Sequence, residues 1–119
     1  MSKYHSKKIT VDGETFDSQK EYRRWQALRL LERSGMICDL QRQVSFELIP
    51  AIREPSVIGP RGGIKQGHLI EKPVNYVADF VYYKDGEKVV EDSKGFRTAD
   101  YIIKRKLMLY IHGIRILET

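Results

Sequence analysis

Two aspartates and a lysine in the second half of the chain, Asp79, Asp92 and Lys94, are of the types that bind cations and activate water. They lie in the segment NYVADFVYYKDGEKVVEDSKGF, where the Asp-Gly pair at 85–86 is typical of a two-residue hairpin turn. Counting back along both strands from that turn places Asp79 directly opposite Asp92. Opposed side chains have Cβ atoms roughly 4.5–5.5 Å apart, and two carboxylates at that distance repel each other. A divalent cation held between them would remove the repulsion.

The period of two along a strand decides which neighbours share the face of this aspartate pair. Asp92 and Lys94 point the same way, whereas Glu91 points to the other face and is predicted not to be a ligand. Alternatively, these residues form a solvated edge at which Lys94 balances the two aspartates, and a turn of another length would shift the register. The apolar residues predicted on the same face are Val77, Val81 and Val90.

A further carboxylate lies in the segment FDSQKEYRRWQALRLLERSG, whose composition favours an α-helix. At about 100° per residue, Glu21 falls within about 40° of Trp25 and Leu28, on the stripe predicted to face the core. A lone charge on such a stripe is rarely buried without a partner, and a metal ion or Lys94 would serve as that partner. Alternatively, Glu21 lies at the edge of the stripe and reaches water.

The elements that must position these residues follow from the rest of the pattern. The chain has 119 residues, which suits one domain, 1–119, with one modest core. After an N-terminal tail and hairpin (1–16), the order helix, three strands, helix, strand predicts an α/β fold with a mixed central sheet. The predicted elements are a hairpin over 8–16, a helix capped by Asp17 or Ser18 and ended by Gly35, strands over 44–49, 74–83 and 87–94, a helix over 99–112 between Thr98 and Gly113, and a closing strand in IRILE.

The segment 51–72, AIREPSVIGPRGGIKQGHLIEK, interrupts this order between the first two strands of the sheet. Its prolines and glycines break any regular pattern and its cations make it basic, so we predict a long loop or flexible basic arm. Loops of this length are uncommon in compact domains and often carry function. The alternative is an irregular insertion without a role.

The overall charge of the chain is positive, with 21 Lys and Arg against 16 Asp and Glu and a net charge of +5. Such a surplus favours a polyanionic partner, most commonly nucleic acid, although a basic but uninvolved surface explains it equally well. No apolar run approaches the length of a membrane span, and the basic N-terminus lacks the apolar stretch of a secretory signal. With a lone cysteine, Cys38, the cytoplasm is the expected location.

The acidic residues belong to a set of five ordered segments: FDSQKEYRRWQAL, LQRQVSFEL, YVADFVY, VVEDSKGFRT and YIIKRKLMLYIHGI. This set resembles the PD-(D/E)XK nuclease superfamily, which includes type II restriction enzymes, mismatch-nicking endonucleases and archaeal Holliday junction resolvases. It is closest to small phage and prophage proteins of that superfamily that are regarded as endonucleases. Ala78 replaces the proline of the motif, and Asp92 stands where many members have glutamate. The resemblance implies a restriction-endonuclease-like core.

The resemblance also implies a chemistry, the Mg²⁺-dependent hydrolysis of DNA phosphodiester bonds, with Mn²⁺ able to replace Mg²⁺. It implies Asp79 and Asp92 as direct metal ligands and the Ser93 backbone carbonyl as a third. Glu21 would bind the metal directly or through water. Lys94 would orient or help to deprotonate the attacking water and offset developing negative charge. The implied catalytic set is therefore Glu21, Asp79, Asp92 and Lys94.

The substrate and the assembly follow less directly from these residues. The small size of the chain and the resemblance favour branched DNA, such as a Holliday junction, cut by a homodimer with paired sites. An endonuclease that nicks or restricts duplex DNA is the nearest alternative. A non-catalytic DNA-binding regulator is the alternative from another functional class.

Cationic side chains outside the acidic set are expected to bind DNA phosphates. Among them, Lys106 lies inside an apolar arc with Ile102, Ile103 and Tyr110, and it either points toward the site or extends past the core. The candidates are Lys3, Lys7 and Lys8 in the tail, Arg23 and Arg24 on the first helix, Arg53, Arg61 and Lys65 in the arm, and Arg97, Lys104 and Lys106 around the second helix.

Overall fold

The computed structural model describes residues 7–94 and 96–119. Within these residues the chain forms two helices, a mixed four-stranded sheet and shorter strand pairs, so the predicted α/β layout with an N-terminal hairpin is confirmed. Neither of these helices has the length and apolar character that a membrane crossing requires. In chain order the elements are β1 (Ile9–Val11), β2 (Glu14–Phe16), α1 (Gln19–Arg33), β3 (Cys38–Ile49), β4 (Ile52–Arg53), β5 (Val57–Ile58), β6 (Ile64–Lys65), β7 (Leu69–Glu71), β8 (Val74–Lys84), β9 (Glu87–Asp92), α2 (Ala99–His112) and β10 (Leu117–Glu118).

The central sheet has the strand order β10-β9-β8-β3. β8 is antiparallel to both β3 and β9, whereas β10 is parallel to β9 because the chain returns through α2 between them. β8 and β9 are therefore interior strands, paired on both sides. They carry Asp79 and Asp92, so the two predicted metal ligands come from the middle of the sheet and not from an exposed edge.

The helix ends lie where the sequence predicts them. Ser18, one of two predicted caps, is the N-cap of α1, and its Oγ accepts a hydrogen bond from the Glu21 N–H at 3.1 Å. Thr98 caps α2 in the same way, accepting from the Tyr101 N–H at 3.1 Å. α2 ends at Gly113, whose φ of 67° is a conformation that glycine adopts without steric strain. These caps fix the first helical turns, which carry Glu21 and Tyr101 toward the sheet.

The first strand of the sheet, β3, begins at Cys38, earlier than the predicted start at residue 44. Asp39 and Gln43 have φ values of 55° and 52°, a left-handed conformation that is uncommon for residues other than glycine. The pairing with β8 shifts register between Cys38 and Gln41. These irregular residues interrupt the alternation of side chains, so periodicity identifies only the regular second half of the strand.

Apolar side chains pack on both faces of the sheet. The cluster on the α1 face is anchored by Trp25, which stacks on Phe80 with 6.1 Å between ring centroids. The cluster on the α2 face is centred on Met108, which is fully buried. The α1-face cluster contains Leu28, Ile37, Phe80 and Tyr82, and the α2-face cluster contains Leu48, Tyr76, Ala78, Val81, Val90, Tyr101, Met108 and Ile116.

The side chains of β8 exchange faces at Asp79. Ala78 packs in the α2-face cluster and Phe80 in the α1-face cluster, although residues two apart on a regular strand share a face. Gln43, in its left-handed conformation, occupies the corresponding position of β3. The exchange places Asp79 between the two faces, within reach of groups beneath both helices. Val77, predicted on the apolar face, lines the same cleft as Tyr76 and Lys94 but is not buried, since it is 46% exposed.

The segment 51–72, predicted as a long loop or flexible basic arm, is an arm built of short paired strands. β4 pairs with β7 and β5 with β6, both antiparallel, and the Glu54 N–H donates to the His68 carbonyl at 2.8 Å between them. Gly67 allows the strands to approach, because a Cβ there would lie 1.9 Å from the Glu54 carbonyl oxygen. Strands of two or three residues are too short to show a period, so the prolines and glycines dominate the sequence pattern.

Candidate active site

β8 and β9 pair in the register that the sequence predicts. Phe80 faces Glu91, the pairing continues without shift to the turn, and the turn residues at 85 and 86 have φ values of 53° and 78°, as a type I′ turn requires. Asp79 and Asp92 each follow the last residue pair of this ladder, Phe80 and Glu91, and the charge of Asp79 raises the pKa of Asp92. The opposed aspartates predicted from the turn are therefore neighbours in the fold.

Asp92 is fully buried at the end of β9. Its Oδ2 accepts a hydrogen bond of 2.5 Å from the hydroxyl of Tyr76. Among the described residues its Oδ1 has no hydrogen-bond partner and lies 3.5 Å from Nζ of Lys94. Burial raises the pKa of Asp92 to about 7, and the charge of Asp79 adds to the effect. Asp92 therefore presents one oxygen that the protein fixes and another that is available to a cation.

The two carboxylate oxygens of Asp79 also have different partners. Oδ2 accepts a hydrogen bond of 2.8 Å from the backbone N–H of Ser93. Oδ1 lies 3.5 Å from the side-chain amide nitrogen of Gln43. The bond to Ser93 fixes the carboxylate across the two strands just beyond the end of the β8–β9 ladder. Ser93, predicted to contribute its carbonyl, thus holds Asp79 through its N–H.

Glu21 is also buried, and it bonds to the residues that cap the start of α1. Its backbone N–H donates to Ser18, and its Oε1 accepts from the Asp17 N–H at 3.1 Å. Oε2 lies 3.5 Å from the same Gln43 amide that approaches Asp79. The pKa of Glu21 is raised to about 7. Burial is the largest cause, and the hydrogen bond and charge interaction with Asp79 add to it. Glu21 thus adjoins Asp79 on the α1 side, and the alternative that it reaches water is wrong.

A cation that the sequence did not single out lies on the outer side of Glu21. The guanidinium of Arg42 packs over the ring of Phe16, with 3.9 Å from Cζ to the ring centroid. Its Nη2 lies 3.6 Å from Glu21 Oε1 and donates to the Thr15 carbonyl at 3.0 Å. The N-terminal hairpin thereby holds a fixed positive charge beside the acidic residues.

Lys94 lies on the α2 side of the aspartates. Its Nζ is 5.0 Å from the ring centroid of Tyr101 and 3.5 Å from Oδ1 of Asp92. The Lys20 side chain, from the first turn of α1, donates to the Lys94 carbonyl at 3.3 Å. Contacts from both helices therefore surround the lysine.

Tyr101 is held in turn by Glu118 at the sheet edge. The Tyr101 hydroxyl donates to Glu118 Oε2 at 2.6 Å, and burial together with this bond raises the pKa of Tyr101. Arg97 donates to both oxygens of Glu118, and Arg105 lies 3.4 Å away. Hydrogen bonds from Arg97 and Tyr101 lower the pKa of Glu118 to about 2. This group ties the wall of the site to β10.

Glu91 points to the opposite face of the sheet, as predicted. It accepts two hydrogen bonds from Arg24, at 2.7 and 2.9 Å, and one from the Tyr82 hydroxyl at 3.0 Å. Glu91 is fully buried, so this bidentate pair anchors α1 to the sheet. Arg24, predicted as a DNA contact, is committed to this ion pair.

An open cleft lies beside the aspartate pair on the α2 side. Lys94 and Lys104 line it together with the rings of Tyr76 and Tyr101, and Asp100 also contributes to its wall. Positive side chains at the mouth of a cleft attract anionic ligands. Of the predicted DNA contacts, Lys104 is the one that the fold brings beside Lys94.

The other predicted cations are distributed over the surface. Lys106 is exposed and lines a different pocket from Lys94 and Lys104, which fits the predicted placement past the core and not the one toward the site. Arg97 is bound to Glu118, and Arg53 donates to the Gly67 carbonyl at 3.3 Å within the arm. Lys3 lies outside the described residues. The exposed candidates are Lys7, Lys8, Arg23, Arg61 and Lys65.

The carboxylate oxygens of the acidic residues are suitable ligands for a hard cation. Asp79 and Asp92 each have one oxygen fixed by the protein and one without a strong hydrogen bond, and carboxylate oxygens are the ligands that Mg²⁺ prefers. Across 7–94 and 96–119, no group of three His, Cys, Asp or Glu side chains has the arrangement that holds a metal ion. Asp92 Oδ1, which is buried, has no hydrogen-bond partner among the described residues and already lies beside the Lys94 ammonium, is the atom that best fits a bound cation.

Several residues of this site were not identified from the sequence. Tyr76 and Tyr101 are among them, because their hydroxyl groups carry no sequence signal of their own. Gln43 was not considered, because its position depends on the left-handed turn of β3. The spacing Ser18-x-x-Glu21 is a capping-box signature, and it could have placed the glutamate at the helix start.

Comparison of the chain with curated proteins and with solved structures gives no match. A family described as "Protein of unknown function (DUF1064)" matches residues 1–114. The matched range includes both helices, the strands β3, β8 and β9 and all of the acidic residues of the site. The chain therefore belongs to the DUF1064 family.

Proposed function

We propose that the protein is a Mg²⁺-dependent endonuclease that hydrolyses DNA phosphodiester bonds. One observation carries the proposal: Oδ1 of Asp92 is buried and lacks a hydrogen-bond partner among the described residues, its close charged neighbour being the Lys94 ammonium at 3.5 Å, and the charge of Asp79 acts on the same carboxyl group. A buried carboxylate oxygen without a partner destabilises a fold unless a ligand compensates it. A bound cation provides that compensation and at the same time a catalytic function.

Asp79 and Asp92 would hold the metal ion, with Glu21 behind Asp79 on the α1 side. The bound ion would neutralise charge on the scissile phosphate and lower the pKa of a coordinated water. Tyr76 and the Ser93 N–H each bond one oxygen of an aspartate and so hold the two carboxylates that would bind the ion in fixed orientations. Mn²⁺, which accepts the same oxygen ligands, would replace Mg²⁺.

Lys94 would act on the nucleophile and the phosphate. Its ammonium group lies beside the unpartnered oxygen of Asp92, where it can donate a hydrogen bond to a water or to a phosphate oxygen. Hydrolysis adds the water oxygen to phosphorus and breaks the bond to the leaving sugar oxygen, and the ammonium offsets the negative charge that builds up. Lys104, on the same cleft, would bind the adjacent phosphate.

The kind of DNA that is cut is proposed from the resemblance to PD-(D/E)XK nucleases. We propose branched DNA, such as a four-way junction, as the preferred substrate, and a homodimer as the active assembly. Cutting of plain duplex DNA is the alternative within the same chemistry. The net charge of +5 supports a polyanionic substrate in either case.

Incubation of the purified protein with three DNA substrates tests the activity. A labelled four-way junction, a linear duplex and a single strand are each treated with Mg²⁺, with Mn²⁺ and with EDTA. We expect metal-dependent cleavage, with symmetric cuts near the branch point of the junction. Cleavage of linear duplex at the same rate would move the substrate to duplex DNA. Binding without cleavage under any metal would support the non-catalytic DNA-binding regulator.

The variant Asp92→Asn tests whether the buried carboxylate of Asp92 is needed for cleavage. We expect loss of cleavage with DNA binding unchanged or tighter, because the substitution removes a metal ligand and a negative charge. Glu87→Gln is the matched control, since Glu87 is an exposed carboxylate on the same strand. Full activity of Asp92→Asn would remove this residue from the metal site.

A further inference from the structure

The arm formed by β4 to β7 exposes a pair of large apolar side chains at its far end. Ile58 and Ile64 are direct partners across β5 and β6, and they are 79% and 82% exposed. Val57, beside them, is 56% exposed. Isolated exposed apolar residues are ordinary, but a paired set at the end of a projecting ribbon has to be covered by something other than its own domain.

The turn between these isoleucines is short and closed. The Gly59 N–H donates to the Gly63 carbonyl at 2.7 Å, and the Gly62 N–H donates to the Gly59 carbonyl at 3.0 Å. Gly62 has a φ of 82°, which a side-chain-bearing residue rarely adopts. These bonds give the tip a narrow backbone with Arg61 exposed at its apex.

The charge of the outer arm points to a polyanion. Residues 55–70 contain Arg61, Lys65 and His68 and no aspartate or glutamate. The acidic residues of the arm, Glu54 and Glu71, lie at its base. Apolar residues flanked by cations, without acids, suit an anionic partner, and DNA combines phosphates with an apolar base stack.

We infer that the arm is a DNA-binding β-ribbon whose tip isoleucines insert between base pairs while Arg61 and Lys65 contact phosphates. A two-stranded ribbon fits a DNA groove, and inserted aliphatic side chains are a known means of separating adjacent base pairs. This inference rests on the proposed function for its partner, DNA, but not on cleavage. It assigns the tip of the arm, distant from the carboxylates in sequence, as a second contact with the same substrate.

Insertion of the two isoleucines between base pairs has a consequence for substrate choice. Insertion into a continuous duplex requires a base step to unstack, whereas a nick or a branch already exposes a base face. The arm would therefore increase affinity for DNA with a discontinuity over continuous duplex. The preference would come from Ile58 and Ile64, because phosphate contacts carry no such distinction.

Fluorescence of 2-aminopurine placed at a nick measures the insertion. The full-length protein is titrated in EDTA, so that hydrolysis does not contribute, onto nicked and continuous duplexes of the same sequence. We expect the fluorescence to rise on binding to nicked DNA and the affinity for it to exceed that for continuous DNA by roughly tenfold. The double variant Ile58→Ser/Ile64→Ser should lose both effects while keeping the affinity for continuous duplex.

Ile103→Ser is the control, because Ile103 is an isoleucine on α2, outside the arm, that is 57% exposed. The control should behave as the unmodified protein. An unchanged fluorescence response in the arm variant, or a loss in both variants, would overturn the inference. So would a dimer detected by sedimentation that dissociates in the arm variant without any change in DNA binding, since the arm would then cover a second copy of the chain.

The phosphate contact has its own test in the salt dependence of binding. Arg61→Gln should reduce the slope of log K against log salt concentration by about 1, as expected for one lost phosphate contact. Lys84→Gln, an exposed lysine at the opposite β8–β9 turn, should leave the slope unchanged. An unchanged slope for Arg61→Gln would overturn the phosphate contact. A protein that shows these binding effects but never cleaves DNA would refute the proposed nuclease activity and leave the arm inference standing.

Discussion

At the scale of single residues, the site depends on the two carboxylate oxygens of each aspartate having different partners. Tyr76 and the Ser93 N–H each hold one oxygen, which leaves the other oxygen of Asp92 beside Lys94 and the other oxygen of Asp79 beside the Gln43 amide. Such outer hydrogen bonds fix ligand orientation and adjust the affinity of a carboxylate for a cation. Tyr76 is therefore a positioning residue, and it should be as necessary for metal binding as a ligand is.

Tyr76→Phe tests this role directly. The hydroxyl lowers the pKa of Asp92 by donating to its charged form, so its removal should make the carboxylate harder to ionise. We expect Mn²⁺ affinity at neutral pH to fall by roughly tenfold, measured by calorimetric titration. Tyr82→Phe is the matched control, because it removes a similar bond to Glu91 on the other face of the sheet. Equal losses of affinity in both variants would indicate a general effect on the fold.

The raised pKa values of Glu21 and Asp92 predict an unusual dependence of stability on pH. Both are about 7 in the folded protein, above the ordinary values of 4.5 and 3.8, so the folded state binds these protons more tightly than the unfolded state. Their stabilising contribution is complete below about pH 4 and is lost as the pH rises through about 7. The free energy of unfolding of the metal-free protein should therefore fall between pH 5 and pH 8, as measured by urea titration in EDTA.

Asp92→Asn separates this contribution from the background. The variant cannot ionise at this position, so its stability should fall less steeply over the same pH range, whereas Glu87→Gln, at an exposed carboxylate, should follow the unmodified protein. A flat profile for the unmodified protein, or identical slopes for all three proteins, would contradict the assignment of raised pKa values to buried carboxyl groups.

At the scale of secondary structure, the helices and the β8–β9 hairpin were predictable because each has a local signal. Ser18, Thr98 and Gly113 lie at the positions where caps are expected, and the Asp-Gly pair fixes the turn and hence the register of the two aspartates. The exchange of faces at Asp79 was not predictable. It depends on the left-handed conformation of Gln43, a residue type that gives no warning of it, and on pairing between strands distant in sequence.

The attachment of α1 to the sheet depends on the buried pair Arg24–Glu91. Arg24→Ala would leave the fully buried Glu91 carboxylate without its bidentate partner, so we expect a loss of about 3 kcal/mol in the free energy of unfolding. Arg23→Ala, at the adjacent exposed arginine, should change stability by less than about 0.5 kcal/mol and weaken DNA binding instead. Urea titrations and DNA affinities of both variants measure the difference. Equal stability would show that Arg24 contributes nothing to anchoring the helix.

At the scale of the whole molecule, the arm decides the shape. The radius of gyration is 18.7 Å, with extents of 58 × 42 × 32 Å, whereas a compact domain of this length has a radius of about 13.5 Å. We attribute the larger radius of gyration to the arm, which is exposed along both strands and contributes few residues to either apolar cluster. The core should therefore fold without the outer arm.

Replacing residues 55–67 by Asn-Gly tests that independence. The Glu54 N–H bonds to the His68 carbonyl, so a two-residue turn can close the ribbon at this pair without disturbing β8. We expect the free energy of unfolding to change by less than about 1 kcal/mol, because the removed residues bury little apolar surface. The radius of gyration, measured by small-angle X-ray scattering, should fall toward the compact value. A shortened protein that unfolds more easily, or keeps its radius, would mean that the arm folds back on the core and is not available to a groove of DNA.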